Sequence, residues 1–297
     1  MAHVLPGNAP VAPVEPAQRK TRTGYFLLLP GIAWLAIFFA IPLVTLFVTS
    51  LQKPIEGKPG KYAVGFEIGN YWQAIAEYWP LFVRSFVFAG IATALALVIS
   101  YPLAYFIAFK SGRWSSLLLV LVIAPLFASF LLRTYAWKTI LADDGFITST
   151  LNMLHLLPDG RVLNTPIAVI AGLTYNFLPF MILPLYAALG KIDPRLIEAG
   201  SDLYASPFTT FRKVTWPLSL PGVVAGTLLT FIPSAGDYIN AELLGSTKDK
   251  MIGNAIQTNF IEFRDYPIAS ALSFLLMTVI LVLVFSYIRR AGTEELV

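Results

Sequence analysis

Lys191-Ile-Asp-Pro-Arg-Leu-Ile-Glu-Ala-Gly-Ser-Asp-Leu-Tyr-Ala-Ser-Pro-Phe-Thr-Thr-Phe-Arg-Lys-Val-Thr-Trp-Pro217 crowds charge into one segment of a chain that is otherwise poor in it. Two helix-start signals lie inside. Asp193 precedes Pro194 and Ser206 precedes Pro207, each an N-cap type followed by proline at the first helical position. The spacing predicts two short helices, over about 194–204 and 207–214, joined by a turn at Ala205–Ser206. On the second, Phe208, Phe211 and Val214 recur at helical spacing while Arg212 and Lys213 lie off that face. Such a helix either inserts its apolar stripe into a groove on a soluble partner or lies on a membrane surface. Composition does not separate the two.

On either side the charge stops. The runs without a charged residue are Thr23–Gln52, Ser85–Phe109, Trp114–Leu132, Val162–Gly190, Val214–Gly236 and Tyr266–Ile288. A bilayer core takes about 20 apolar residues as helix, and these runs meet that length or nearly do. The third is the shortest, and its helix is expected to run on through Arg133. The fifth holds Pro217, Pro221 and Pro233, so its helix is expected to start near Leu220 and to be disturbed near Pro233. The whole chain agrees: 297 residues, 57% hydrophobic, 13% charged, with mean hydropathy +0.70. A soluble domain carries about 25% charged residues. An ordinary soluble enzyme and a disordered chain are both excluded, and the net charge of +4 is too small and too dispersed for nucleic acid. Without cysteine there is no disulfide framework and no thiolate site.

The fold class expected is an all-α membrane protein with six spans, at about 24–51, 83–109, 114–138, 165–190, 218–240 and 266–289. Residues 1–22 read as a disordered tail and 291–297 as a second tail. The first apolar run is about twice the 7–15 residues of a signal-peptide core, which makes it an uncleaved anchor. Orientation follows Lys and Arg. The compact turn at Lys110 and Arg113, the N-terminal Arg19, Lys20 and Arg22, and the C-terminal Arg289 and Arg290 place both termini in the cytoplasm, with 191–217 on the same side. In the outer loop from Lys53 to Arg84, the aromatics Tyr71, Trp72, Tyr78 and Trp79 fit a short interfacial helix, and less readily a docking site for an extracytoplasmic partner.

The 191–217 segment also resembles a family motif. Glu198-Ala199-Gly200, then Tyr204-Ala205-Ser206-Pro207, then Val214-Thr215-Trp216-Pro217 resembles the EAA loop of ABC-importer permeases: EAA, three residues, Gly, nine residues, then I-x-L-P. The spacing is kept. Gly200 replaces the second Ala, Tyr204 the Gly, Val214 the Ile and Trp216 the Leu. Tyr204 is the consequential departure, because the family glycine gives the turn a freedom tyrosine lacks. Further stretches narrow the likeness to the spermidine/putrescine permeases, and within them to the first permease of the pair. They are Ser129–Trp137, Phe177–Tyr186, Ile232–Tyr238, Leu243–Gly245 and Met251–Gln257, together with Leu29-Pro-Gly31 and Ile41-Pro-Leu43.

The resemblance implies a type I importer transmembrane domain in the bacterial plasma (inner) membrane. Two permeases, here two distinct homologues, would face each other around the path. Each EAA loop would dock on one of two ATP-binding subunits, which bind ATP and Mg, and an extracytoplasmic binding protein would deliver the cargo. This chain would bind no cofactor itself. Glu198 would contact the ATPase and the Ala205–Phe211 region would form the coupling helix, with Ala199, Gly200, Asp202, Tyr204, Ser206, Pro207, Phe208 and Arg212 in the same surface.

Charges near spans are functional candidates by default. A polycation needs carboxylates for pairing and aromatic faces for cation–π contact, each worth about 0.5–2 kcal/mol. Asp237, Tyr238 and Glu242 suit that task, with Tyr135, Trp137, Tyr175 and Asn176 at similar depth. Arg133 would repel a cation and is expected to pair with one of the acids. The small-residue spacings Gly222-Val-Val-Ala-Gly226 and Ala89-Gly90, Ala92, Ala94 and Ala96 permit close helix contact. Gly190-Lys191 is followed by Ile, and Leu185 stands where a P-loop needs Gly, so ATP hydrolysis falls to a partner. No G-x-S-x-G is present, neither His3 nor His155 lies in a span, and no metal-ligand cluster is visible, which argues against an intramembrane serine protease. An ion-coupled secondary transporter stays as a rival, as do other ABC cargoes (opines, phosphonates, iron), and no clear internal repeat favours the former.

Overall fold

The computed structural model describes residues 22–55, 61–155, 157 and 160–291. Most of both expected tails therefore lies outside the described residues. The chain divides into two compact units, Met1–Leu46 and Phe47–Val297. In the first, α1 (Arg22–Leu35) passes through a π turn (Ala36–Ala40) into α2 (Ile41–Ser50), whose last turn belongs to the second unit. The stretch Leu28–Ser50 is long and apolar enough to span a bilayer.

The second unit opens with a short antiparallel hairpin, β1 (Lys53–Pro54) and β2 (Tyr62–Ala63). The helices α3 (Gly69–Phe109), α4 (Ser115–Ile123), α5 (Phe130–Ile140), α6 (Phe146–Met153) and α7 (Pro166–Leu189) follow. After them come α8 (Pro194–Asp202), α9 (Pro207–Thr210), α10 (Trp216–Ala235), α11 (Ile239–Leu244), α12 (Ile252–Gln257) and α13 (Tyr266–Ala291). Among the described residues five helices are long and apolar enough to cross a membrane, and six if the bent pair Gly112–Phe127 and Phe130–Ile140 counts as one span. This is the expected all-α class.

Three spans differ from expectation. The second does not start near 83. The aromatic segment expected as a separate interfacial helix is the first part of α3, which runs 41 residues through Pro80 and Pro102. At 1.5 Å per residue that is about 60 Å, twice the bilayer core, so one end stands clear of it. Tyr71 is tied back by a 2.7 Å hydrogen bond between its hydroxyl and Ser50 Oγ, while Trp72 and Trp79 are exposed. The third span is not straight. Pro125 sits in a 3-10 turn (Ala124–Phe127), Ala128 and Ser129 turn extended, and the two halves meet at 96°. The fifth neither starts near 218 nor runs to 240. A helix is continuous from Pro207 to Ala235, with a π turn at Phe211–Thr215. The wider turn contains the carbonyl four residues before Pro217, and the helix runs on through Pro221; sequence alone reads both as breakers. The chain then turns at Gly236 into α11.

The core lies where α3, α7 and α10 meet. Ala96, Tyr101 and Ala104 of α3, Met181, Ile182, Leu185 and Leu189 of α7, and Val223 of α10 form one buried cluster. Lipid is as apolar as leucine, so helices associate in a bilayer through close van der Waals contact and interhelical hydrogen bonds. Both devices are present. Ala89, Ala92 and Ala96 are fully buried on one face of α3, whereas Ala94 faces away. Tyr101 and Ser219 share a 2.7 Å hydrogen bond. On α10, a Cβ at Gly222 would lie 2.5 Å from Ala188 Cβ and 2.7 Å from the Pro184 carbonyl. A second cluster joins Ala74 and Phe82 of α3 to Ile252 and Ala255 of α12 and to Ile268, Ala271, Leu272 and Leu276 of α13.

Gly222→Val should separate α7 from α10, because the obstacle is backbone that cannot move aside. Overpacking of this kind costs about 1–3 kcal/mol. Thermal unfolding of the purified protein in detergent should drop clearly, and Gly226→Ala should do less harm, since its nearest obstacle is the flexible Met181 sulfur at 2.8 Å.

Candidate functional site

Two places concentrate the candidate residues, at opposite ends of α10. The first is the loop from α7 to α10. Both predicted caps form. Asp193 Oδ1 accepts from the Arg195 amide at 3.0 Å. Ser206 Oγ accepts from the Thr209 amide at 3.2 Å and shares a 2.8 Å bond with Thr209 Oγ1. The first helix, α8, ends at Asp202 rather than near 204, and the second does not end at 214 but continues into α10. Between them Tyr204 adopts φ +57°, the left-handed region that the family glycine enters freely and a tyrosine enters at about 1 kcal/mol or more. The turn closes with Tyr204 N–H on Ser201 O and Ala205 N–H on Gly200 O, each 3.0 Å. The turn thus forms around Tyr204 despite the absence of glycine.

Gly200 also has a local reason. A Cβ there would lie 2.7 Å from Thr210 Oγ1 and 2.9 Å from its Cγ2, so the crossing of α8 on α9 needs a bare backbone at this point. The exposed surface of the loop includes Glu198, Ala199, Asp202, Tyr204, Ser206, Pro207, Phe208 and Arg212. Tyr204 is 99% exposed and Phe208 71%. The expected stripe of Phe208, Phe211 and Val214 is split. Phe211 turns inward, edge-on to Tyr101 at 5.5 Å and beside Trp216 at 6.3 Å. Its periodicity marks the bundle side of the helix, not a partner's side.

The second place follows α10. Asp237, expected to line a path, is 8% exposed and accepts from the Asn240 amide at 2.8 Å. It caps the entry to α11. Glu242 is half-exposed. Its Oε2 accepts from Asn254 Nδ2 at 3.0 Å and lies 3.6 Å from Lys250 Nζ. Asn254 also donates to the Tyr238 carbonyl at 3.0 Å and caps its own helix by accepting from the Met251 amide at 2.9 Å. The Tyr238 ring is 42% exposed. Asn254 thus ties the Glu242 carboxylate to the backbone at Tyr238.

The remaining candidates divide. Asn176 is fully buried. Its Nδ2 donates to Thr134 Oγ1 at 3.2 Å and Asn240 Oδ1 at 3.0 Å, tying α5, α7 and α11 together. Trp137 and Tyr175 face each other at 5.3 Å, and Tyr135 is exposed. Arg133 does not pair with an acid: among the described residues it has no ion pair, and its guanidinium lies 5.6 Å over the Phe130 ring. Sequence reasoning missed Asn240, Lys250 and Asn254 as members of this site. Their spacing along the chain carried no signal for it, because they meet only through the fold of α11 and α12. Clusters of metal-ligating residues are absent among the described residues.

Comparison with known proteins gives three consistent findings. Residues 100–291 match the model of the family described as binding-protein-dependent transport system inner membrane component. The chain is 40% identical over 260 residues to the spermidine/putrescine transport system permease protein PotB of Haemophilus influenzae, covering 86% of this chain and 90% of that one. It is 35% identical over 262 residues to PotB of Escherichia coli, covering 88% and 94%. Among solved structures, a chain of a bacterial ABC transporter involved in the import of the acidic polysaccharide alginate superposes with a TM-score of 0.67 at 19% identity, covering 92% of this chain and 96% of that one. A chain of the MetNI methionine ABC transporter superposes at 0.52 and 20%, covering 76% and 97%. These last two likenesses are of fold.

Gly200→Ala restores the family residue yet should loosen the loop, because Thr210 is buried and short and has little room to yield. Limited proteolysis between 198 and 210 should speed up in Gly200→Ala and return towards the wild-type rate in Gly200→Ala/Thr210→Gly. For the polar tie, Asn176→Leu leaves Asn240 buried with one partner fewer and should cost about 1–3 kcal/mol of stability, read as a lower unfolding temperature.

Proposed function

The chain belongs to the family of binding-protein-dependent transport system inner membrane components, and from that premise we propose that it forms half of the path of an ATP-driven importer for a polyamine of the spermidine/putrescine type. As a multi-pass permease of the inner membrane it is the path and not the motor. Hydrolysis falls to separate ATP-binding subunits that hold ATP and Mg, two per complex. A distinct second permease completes the path, and an extracytoplasmic binding protein loads it. The loop 191–217 then lies on the cytoplasmic side with both termini, and Glu242 towards the outer side.

One observation carries the reading. The helix Pro207–Ala235 is continuous from the loop that exposes Glu198, Tyr204 and Phe208 to the turn that presents Tyr238 and Glu242. A displacement imposed on the loop is delivered to the other end of the span without a flexible joint between them. ATP can bias two access states only if the loop makes different contacts in each. A continuous helix passes that difference on. At the far end the half-exposed Glu242 carboxylate offers an ammonium charge pairing, and the exposed Tyr238 four residues earlier carries a π face. Polyamine as cargo rests further on the 40% identity to a permease so named.

Reconstitution tests the whole. Labelled spermidine should enter proteoliposomes that hold this chain, its ATP-binding subunit, a second permease and a loaded binding protein, and only with ATP inside the ATPase-facing compartment. Uptake by this chain alone on an ion gradient would instead support a secondary transporter. Glu198→Ala and Phe208→Ser should abolish uptake with the permease still in the membrane, and substrate-stimulated ATP hydrolysis at the wild-type rate in both would remove the loop from coupling. Glu242→Gln should reduce spermidine uptake while leaving co-purification of the ATPase intact.

A further inference from the structure

Glu242 already carries an ammonium. Lys250 Nζ lies 3.6 Å from Oε2, and the two side chains are 40% and 49% exposed. The backbone that carries Lys250 is pinned on several sides. Arg84 Nη1 donates to the Lys250 carbonyl at 2.8 Å. The neighbouring Ile252 amide donates to Ser85 Oγ at 2.7 Å. The turn before it is closed by Asp249, which accepts from the Ser246 amide at 2.9 Å and its hydroxyl at 2.5 Å. The main chain is therefore held while the four-carbon stem is left to reach Glu242 or to leave it. The other charges at hand are committed: Arg84 to that carbonyl, Asp249 to Ser246, and Asp237 to the cap of α11.

A lysine side chain ends as a primary alkylammonium on a methylene chain. That is the chemical group at each end of a diaminoalkane. An exposed pair at this distance is weak, so an incoming ammonium can take its place at little cost. The tether changes the contest. Lys250 competes at an effective concentration set by its short stem, which in flexible linkages reaches the millimolar range. Any amine must displace Lys250 to reach Glu242, so the apparent affinity of each falls by the same factor. A molecule with a second ammonium starts from a higher intrinsic affinity and still fills the site where a monoamine falls short.

We infer that Lys250 is a tethered surrogate for the cargo's ammonium, holding Glu242 in the empty path and yielding it to an incoming polyamine. This rests on the assignment of Glu242 to a polyamine path made above. It adds an affinity threshold within the permease, separate from the selectivity of any binding protein.

The test is equilibrium binding of labelled spermidine to the purified permease–ATPase complex without binding protein, with n-butylamine as competitor. Wild type should bind spermidine and resist n-butylamine. Lys250→Met keeps the stem length and loses the charge. It should bind spermidine about three- to fivefold tighter, the range an exposed ion pair supports, and n-butylamine should gain by the same factor. Lys250→Arg should keep the wild-type affinities. In a Glu242→Gln background, Lys250→Met should bring no gain. Should Lys250→Met fail to assemble, Lys250→Gln answers the same question. Unchanged amine affinity in the neutral variant overturns the inference, and so does a gain that persists without Glu242. If wild type binds neither amine, the polyamine path itself falls and the inference with it. The two failures are thereby told apart.

Discussion

Close backbone contact between α7 and α10 is the constraint on which the rest depends. In hydrocarbon no hydrophobic force draws helices together, so they must touch over small residues or share hydrogen bonds. Gly222 lets α10 settle against Ala188 and the Pro184 carbonyl, and Gly226 lets it settle against Met181. The same α7 admits α11 at Gly172, where a Cβ would meet Leu244 Cδ1 at 2.4 Å and Asn240 Oδ1 at 2.7 Å. One helix thus seats both the lever that comes from the loop and the short helix that presents Glu242. With either seat filled, the two ends of the permease would lose their common reference.

Spans were legible in the sequence for a plain reason. A charge at bilayer depth costs more than any local propensity can offset, so gaps between charges mark helices. Breaks were not legible. Pro217 and Pro221 predict an interruption, yet the helix runs through both, with a π turn at Phe211–Thr215 just ahead of Pro217. Trp114–Leu132 predicts one straight span, yet it bends by 96°. The difference lies in which neighbours re-satisfy the freed backbone, and that is a tertiary matter.

The candidate site shows the same division. The caps at Asp193 and Ser206 were legible because a cap needs only its own next few residues. The stripe of Phe208 and Phe211 was legible as helical but not as to which side it faced. Helical spacing says that residues share a face and not what the face meets. Here Tyr101 and Trp216 claim Phe211, and Phe208 stays in the open. Tyr204 was read against a family glycine and placed the turn in question. The structure shows that the turn tolerates the strain, since two backbone hydrogen bonds close it around φ +57°.

Scarcity of charge suggested that Asp237 and Glu242 both serve a cation. Their surroundings give them different work. A carboxylate that is nearly sealed and accepts a helix-start amide is committed to structure, since its removal would leave that amide unpaired. Asp237 is in that position. A carboxylate with half its surface in solvent, holding one amide and one mobile ammonium, keeps its charge available. Glu242 is in that position. The two act in series: Asp237 fixes the start of α11, and α11 carries Glu242 five residues later. In a chain this poor in charge, one sealed acid is there to hold an exposed one in place.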